Sequence, residues 1–332
     1  MTAASTVLRG GLATFALSKA TLIMFALIVA WFSLVASGYF SAENAGNIVK
    51  QSSFIGIAAV GMTFVLLTAG IDLSVGSVMY LAPVIAGYAM REYGLGVPEA
   101  LALALVSGAA MGALNAALIV RLGITPFIVT LSTLFLFRGA GTFLTQSKAL
   151  DFPREMVDFG LASVLGIPLP IAIFAAVAVA AHVVLTRTPF GRQLYAVGND
   201  PVAGRKAGLK TERIIGVVYV ISSTSAALAG FVLIAQIGRL DQSFGEGREF
   251  DVIAAAVLGG TSLFGGVGTA FGAVFGALFV QVVTTGMIFT RVNLYMQPIV
   301  LGGLIFAAVF TDSLHRSYLT RLKRRGRVSR QS

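Results

Sequence analysis

Few residues in this chain have the type and spacing needed for covalent chemistry or metal binding. There is no cysteine, and the only two histidines, His182 and His315, stand far apart without ligand-type residues close to them in sequence. No Gly-x-x-x-x-Gly-Lys-Ser/Thr segment is present, so the chain does not bring its own phosphate-binding loop for ATP. The sequence therefore predicts no catalytic centre, no metal site and no bound cofactor.

A polar and basic segment, from Thr188 to Leu209, separates two long apolar stretches and carries signals for a helix of its own. Asn199 or Asp200 can cap the start of that helix, Pro201 suits its first position, and Gly208 suits the residue after its end. A helix of about seven residues is roughly 10 Å long and unstable alone, so it must dock on something.

The exposed face of this predicted helix, 201–207, would place Arg205 and Lys206 beside small apolar residues. A membrane protein that builds such a helix between two apolar stretches is expected to present it to a partner. The alternative is a loop that packs only against itself. We favour partner docking.

The composition predicts a protein buried mostly in lipid. The 332 residues are 57% hydrophobic and only 11% charged, with a mean hydropathy of +0.88. Soluble domains carry about 25% charged residues, and about 20 apolar residues span a bilayer as a helix. Because such segments recur from end to end, the predicted fold is all-α, a polytopic transmembrane helical bundle in the lipid bilayer.

Hydropathy places about ten spans along this bundle. The predicted spans are 20–40, 52–70, 74–90, 99–121, 125–146, 166–186, 213–237, 250–264, 267–290 and 295–311. Two of them, 74–90 and 250–264, are short and could be broken or re-entrant helices. The predicted organisation is a cytoplasmic segment 1–19, a transmembrane domain 20–312 with a cytoplasmic loop 187–213, and a basic cytoplasmic tail 313–332.

The formal charge of +10 reflects where the lysines and arginines stand. The predicted cytoplasmic side receives more than twice as many of them as the outside, in agreement with the positive-inside rule. Two clusters, one in the loop and one in the tail, hold most of them: Arg187, Arg192, Arg205, Lys206, Lys210 and Arg213, then Arg316, Arg321, Lys323, Arg324, Arg325, Arg327 and Arg330. This distribution favours membrane orientation over nucleic-acid binding, with both termini cytoplasmic.

Two glycine-rich elements, Gly70–Ser77 and Gly259–Gly268, resemble each other, and each precedes a long apolar stretch. They could mark corresponding points of two related halves. Asp72 is either a functional carboxylate or a helix cap assisted by Ser74, and we favour the cap. The residues predicted to build these turns and caps are Gly70, Asp72, Ser74, Gly76, Gly259, Gly260, Gly265 and Gly266.

Neutral polar residues inside the spans are the candidates for a solute path. The candidates are Asn115, Thr125, Pro126, Gln236, Gln281, Asn293 and Gln297, with Arg138 as a charged residue inside a span. Amides and hydroxyls suit an uncharged, hydroxyl-rich solute, and no carboxylate relay for proton coupling accompanies them. The alternative for each residue is a hydrogen bond between helices, worth about 0.6 kcal/mol.

A charged segment after the seventh predicted span could receive a partner outside the membrane, or could be an ordinary solvated loop. Its charged residues are Arg239, Glu246, Arg248, Glu249 and Asp251.

The chain resembles the permease subunits of bacterial ABC importers for monosaccharides, the family with the ribose, xylose, arabinose and galactose permeases. The resemblance covers roughly residues 50–312 and rests on four stretches in the same order. These are Gly61–Val65 through Gly70–Ser77; Gly123–Leu131; Thr188–Arg192 through Tyr195–Asn199 and Ala203–Gly208; and Gly245–Ala255 through Gly259–Gly268.

The resemblance implies a permease that does no chemistry and sits in the bacterial inner membrane. Its implied partners are a second copy or a sister permease, two ATP-binding subunits or one tandem ATPase that bind the ATP, and an extracytoplasmic sugar-binding protein. The third stretch matches the family's ATPase-coupling region. The coupling role therefore extends to Gly191, Arg192, Tyr195, Gly198, Asn199, Asp200, Arg205, Lys206 and Gly208. At Gly204 the family often has alanine.

Two other classes of protein are weighed against this one. A secondary sugar transporter that acts alone has no obvious use for the basic segment. An integral-membrane enzyme would need nucleophiles, paired histidines or clustered carboxylates that the sequence does not supply.

Overall fold

A computed structural model describes residues 20–310, and its helices follow the apolar segments closely. The helices are α1 (Ala20–Val35), α2 (Ala42–Leu67), α3 (Val75–Tyr93), α4 (Val97–Val120), α5 (Pro126–Thr145), α6 (Arg154–Leu161), α7 (Leu169–Arg187), α8 (Pro189–Asn199), α9 (Pro201–Lys206), α10 (Thr211–Ile237), α11 (Arg248–Leu258), α12 (Ala270–Phe289) and α13 (Gln297–Phe310). The predicted segments 1–19 and 313–332, with His315 and the basic tail, lie outside the described residues.

Two short antiparallel strand pairs complete the described fold. Strand β1 (Leu150–Asp151) pairs with β4 (Arg239–Leu240), and β2 (Ser163–Val164) pairs with β3 (Ile167–Pro168). Neither pair continues beyond two residues, so the all-α, membrane-helical class predicted from the sequence is confirmed.

Between residues 20 and 310, six helices are long and apolar enough to cross a membrane: α2, α4, α5, α7, α10 and α12. Helices α1 and α13 are shorter apolar helices. The predicted number of about ten spans stays a prediction.

Residues 250–264, predicted as a short span that could be a broken or re-entrant helix, do not form one continuous helix. Helix α11 ends at Leu258 and has 11 residues, or about 16 Å, roughly half of a 30 Å hydrocarbon core. Hydropathy extended the predicted span here because the turn that follows begins with small residues and the apolar Leu263 and Phe264, although Phe264 is 82% exposed. Helix α2 likewise begins at Ala42 rather than 52, since its first turns include Glu43 and Lys50.

The chain divides into two compact units, and the larger comprises residues 45–281. In this unit α3 and the part of α2 after Gln51 are the most deeply buried, and the side chains of Tyr80, Tyr219 and Phe231 are inaccessible. Helices α4 and α10 run antiparallel at close approach, because a Cβ on Gly112 would meet the backbone of Tyr219 and Val220 at 2.7 Å. Small residues are what allow membrane helices this proximity.

Helices α11 and α12 also approach through glycine. A Cβ on Gly276 would overlap the carbonyl oxygen of Ala255, and one on Gly272 would overlap that of Gly259. These glycines, four residues apart on α12, therefore place two main chains in direct contact.

The smaller unit contains the described residues before 45 and after 281. Tyr39 contacts three residues of this unit. The Tyr39 hydroxyl donates to the Val282 carbonyl at 3.0 Å, and its ring lies 5.5 Å from that of Phe32 and 5.7 Å from that of Phe289.

Candidate functional site

The basic segment folds into two consecutive helices, α8 and α9. Helix α8 begins at Pro189, and the Thr188 hydroxyl caps it by accepting a hydrogen bond from the Gly191 amide at 3.2 Å. A Cβ on Gly191 would overlap the carbonyl of Leu185, so glycine permits the sharp bend from α7. We did not predict α8, although Thr188-Pro189 is a cap-and-first-residue signal of the same kind as Asp200-Pro201.

Helix α9 has the termini that the sequence predicts. Oδ1 of Asp200 accepts hydrogen bonds from the amides of Val202 and Ala203, both at 2.9 Å. At the other end the Gly208 amide donates to Arg205 and the Leu209 amide to Gly204, each at 3.0 Å. With Gly208 at φ +83°, this is a Schellman ending, and the helix has six residues rather than seven.

Helix α8 docks on two turns that we define here. The first turn, residues 68–74, connects α2 to α3, and the second turn, residues 259–269, connects α11 to α12. A Cβ on Gly198 would overlap the Leu67 carbonyl oxygen and lie 2.9 Å from the Gly266 amide nitrogen. That amide donates to the same Leu67 oxygen at 3.0 Å, so the two turns and α8 meet at one point.

Side chains of α8 reinforce this junction. The Tyr195 hydroxyl donates to the Gly268 carbonyl at 2.7 Å, and the Asn199 side chain lies against Gly266. Burial raises the pKa of Tyr195, which keeps its hydroxyl protonated and able to donate.

The opposite face of the basic segment is solvent-exposed and positively charged. Arg192, Arg205 and Lys206 are exposed, and none forms an ion pair with a residue between 20 and 310. Val202 is 63% exposed on α9. A short, well-capped helix with unpaired cations and an uncovered apolar side chain is suited to contact with another protein.

The first turn contains a buried carboxylate, Asp72, held by neutral donors. Its Oδ1 accepts from the Ser74 amide at 3.0 Å and the Ser74 hydroxyl at 2.5 Å, and its Oδ2 accepts from the Ser222 hydroxyl at 2.8 Å. This is cap-like geometry for the start of α3, which begins at Val75. It also ties that start to α10.

The Asp72 network extends to two further helices. Asn115 of α4 donates to the Ser74 hydroxyl at 2.9 Å and accepts from the Thr133 hydroxyl of α5 at 2.8 Å. The predicted path residue Asn115 is therefore a fully buried hydrogen-bonding bridge between helices, the alternative considered for it above.

The other path candidates lie at the start of α5, in α10 and α12, and in the residues that lead into α13. Thr125 is exposed, and Pro126 is the first residue of α5. The Gln236 side chain donates to the Val232 carbonyl of its own helix, and the Gln281 side chain donates to that of Gln51. The Asn293 side chain accepts a hydrogen bond from the Tyr295 amide, and Gln297 is the first residue of α13.

Arg138 is an unusually well-connected residue for a position inside a span. Its guanidinium donates to the carbonyls of Phe244 at 2.6 Å, Gln242 at 3.3 Å and Gly76 at 3.4 Å, and lies 4.8 Å from the centre of the Tyr80 ring. It thereby holds part of the charged segment after α10 against α3 and α5. Sequence spacing gave no indication of these partners.

Glu249 belongs to the same charged segment and is also buried. Its carboxylate lies beside Gly76, where a Cβ would overlap Oε2. Arg248 pairs with Asp251 at 2.8 Å and lies 5.4 Å from the centre of the Phe54 ring. At least part of this segment is thus built into the bundle and is not an ordinary solvated loop.

Comparisons with known proteins agree with the resemblance found in the sequence. Residues 44–309 match the family described as branched-chain amino acid transport system / permease component. The D-allose transport system permease protein of Escherichia coli is 37% identical over 299 residues, covering 89% of this chain and 91% of the relative.

Two further relatives have different named substrates. The ribose import permease protein of Escherichia coli is 36% identical, covering 90% of this chain and 94% of the relative. The autoinducer 2 import system permease protein of an Enterobacter strain is 34% identical, covering 95% of this chain and 92% of the relative. No solved structure matches the chain.

Proposed function

The chain belongs to this family of ABC importer permeases, and from that premise we propose that it is the membrane-spanning subunit that translocates a monosaccharide into a bacterial cell. An extracytoplasmic binding protein delivers the sugar, and partner subunits bind and hydrolyse ATP. The assembly contains a second copy of the chain or a sister permease. The named relatives carry D-allose, ribose and autoinducer 2, and their common chemistry is a small polyhydroxylated solute.

The observation that carries the coupling part of this proposal is the junction of α8 with both turns. Gly198 touches the Leu67 carbonyl and the Gly266 amide through main-chain atoms alone. Movement of α8 must therefore displace the ends of α2 and α11 together. This supports a role for the basic segment as the place where the ATPase acts on the bundle.

In the proposed mechanism, ATP binding closes the partner subunits and displaces α9. Because α9 is joined to α8 through Asp200 with no intervening loop, the displacement reaches the two turns. The bundle then changes between outward-open and inward-open states. ATP favours one state only to the extent that the closed ATPase binds it better.

Charge reversal on α9 tests the proposal. We expect the double variant Arg205→Glu, Lys206→Glu to lose ATPase co-purification and ATP-dependent uptake, while insertion and thermal stability stay unchanged because both side chains are exposed. A matched control, Arg91→Glu with Lys148→Glu, reverses two exposed cations at the predicted outer face.

Normal ATPase association of the α9 variant would refute the coupling assignment. Uptake in liposomes without any ATPase would instead identify a secondary transporter. The predicted path residues, Asn115 included, stay predictions that uptake measurements on single variants can test.

A further inference from the structure

We propose that the start of α10 forms a binding site for an anionic phospholipid, with α8 on one side and the end of α4 on the other. The site consists of two neighbouring cavities, of about 430 and 480 Å³, on either side of the start of α10. Its position in the cytoplasmic leaflet rests on the proposed function, but its chemistry does not.

Three cations line these cavities: Lys210 lines the first, Arg121 the second, and Arg213 both. Lys210 is the residue before α10, Arg213 is in its first turn, and Arg121 is the residue after α4. All three are exposed, and none is ion-paired with a residue between 20 and 310. The carboxylate of Glu212 also lines the second cavity, so the local balance is three positive charges to one negative.

Below the cations the walls become apolar. Arg213 and Val217 line both cavities, and Val217 is 37% exposed. The second cavity continues between small side chains of α4 and α10: Ala113, Ala116, Ala117 and Gly216. A polar, cationic entrance followed by a narrow apolar groove along two membrane helices matches a molecule with an anionic head and a hydrocarbon chain.

Charge complementarity selects this occupant over the others. A second copy of the chain would bring the same three cations to the contact and would leave them facing each other. A free phosphate would satisfy the cations but leave the groove uncovered. Basic residues at a membrane surface each strengthen binding to anionic lipid by about fivefold.

The test uses the full chain purified in detergent, with dioleoylphosphatidylglycerol as the probe and dioleoylphosphatidylcholine and inorganic phosphate as comparisons. Lipid retention by native mass spectrometry and the lipid-dependent rise in Tm are measured. We expect phosphatidylglycerol to bind more tightly than phosphatidylcholine. Arg213→Gln should weaken it about fivefold, and Lys210→Gln with Arg213→Gln roughly 30-fold.

Arg187→Gln is the matched control, because Arg187 is an exposed cation at the end of α7 that lines neither cavity. Equal affinities for the two lipids would overturn the proposal, as would equal losses in the Arg187 and Arg213 variants. A Tm rise produced by phosphate alone would replace the lipid with a small anion. Loss of a dimer in the double variant without any change in lipid binding would identify a second copy as the occupant.

The result is independent of the coupling proposal. The variants leave α9 intact, and binding is measured without an ATPase. Failure of the lipid site would therefore leave the ATPase co-purification result unchanged. Likewise, failure of the coupling proposal would leave the measured lipid binding unchanged.

Discussion

The two turns that meet at α8 begin alike and then differ. At the end of α2 the Ala69 amide donates to the Leu66 carbonyl and the Gly70 amide donates to the Val65 carbonyl. At the end of α11 the Gly260 amide donates to the Val257 carbonyl and the Thr261 amide donates to the Ala256 carbonyl, which is the equivalent pair of hydrogen bonds. Both are Schellman endings. Because α9 ends in the same way, the interpretation of the two glycine-rich elements as corresponding points of two halves stays a prediction.

Beyond that point the first turn is held by side chains and the second by its own backbone. Asp72 connects the first turn to α10 and, through Ser74, to α4. The second turn has positive φ at Gly265 and Gly266, and these glycines bring its bare main chain against α8. One turn is therefore anchored in the bundle, whereas the other is shaped as a contact surface.

The largest effect should come from adding one methyl group where α8 touches both turns. Gly198→Ala places a Cβ on the Leu67 carbonyl, so α8 must move away from the junction. We expect a loss of about 3 kcal/mol in stability and a loss of ATP-dependent uptake while ATPase association persists. Thermal unfolding and uptake assays measure the two effects.

Gly204→Ala is the control for that change, because its Cβ would stand 3.5 Å from Val197, an ordinary contact. Alanine should strengthen α9 by up to about 1 kcal/mol. Equal damage from both substitutions would show that the junction is not what limits coupling.

The next effect tests the anchor of the first turn. Asp72→Ala leaves the Ser74 amide and the Ser222 hydroxyl without their shared acceptor in a fully buried position. We expect a loss of about 2–3 kcal/mol, measured as a lower Tm. An unchanged Tm would mean that water replaces the carboxylate.

A smaller, opposite effect is expected in the second turn. The Thr261 hydroxyl is buried and has no hydrogen-bond partner among the described residues. Replacing it by Val keeps the shape and removes an unpaired polar group, so Thr261→Val should stabilise the protein by about 1 kcal/mol. A fall in Tm would show that this hydroxyl has a partner in the assembled transporter.

The smallest effect concerns the shared helix ending. Ala69 has φ +57° where the second turn has Gly260 at φ +87°. Ala69→Gly should relieve the left-handed strain and raise the stability by up to about 1 kcal/mol. Gly260→Ala should lower it by a similar amount, and both changes can be followed by Tm.

The sequence was most predictive where local signals act alone. Hydropathy located α4 and α10 within two residues at each end, and capping chemistry located Asp200 and Gly208. It failed at α11, because the partly exposed glycine turn that follows this helix includes apolar residues. The structure also revealed connections, such as Tyr195 to Gly268 and Arg138 to Phe244, that join residues far apart in sequence and follow only from the folded backbone.

The all-backbone contact at Gly198 has a consequence for how such transporters diversify. A joint built from peptide groups makes few demands on the side chains outside it, provided that glycine is kept at position 198 and that Tyr195 and Asn199 keep their contacts with the second turn. The outward-facing residues of α8 and α9 can then change to suit a different ATPase subunit, while the contact between α8 and the two turns stays the same. We therefore expect that the remaining exposed residues of the basic segment can be exchanged between relatives. Such a chimera should bind the ATPase of the donor permease and still transport its original sugar.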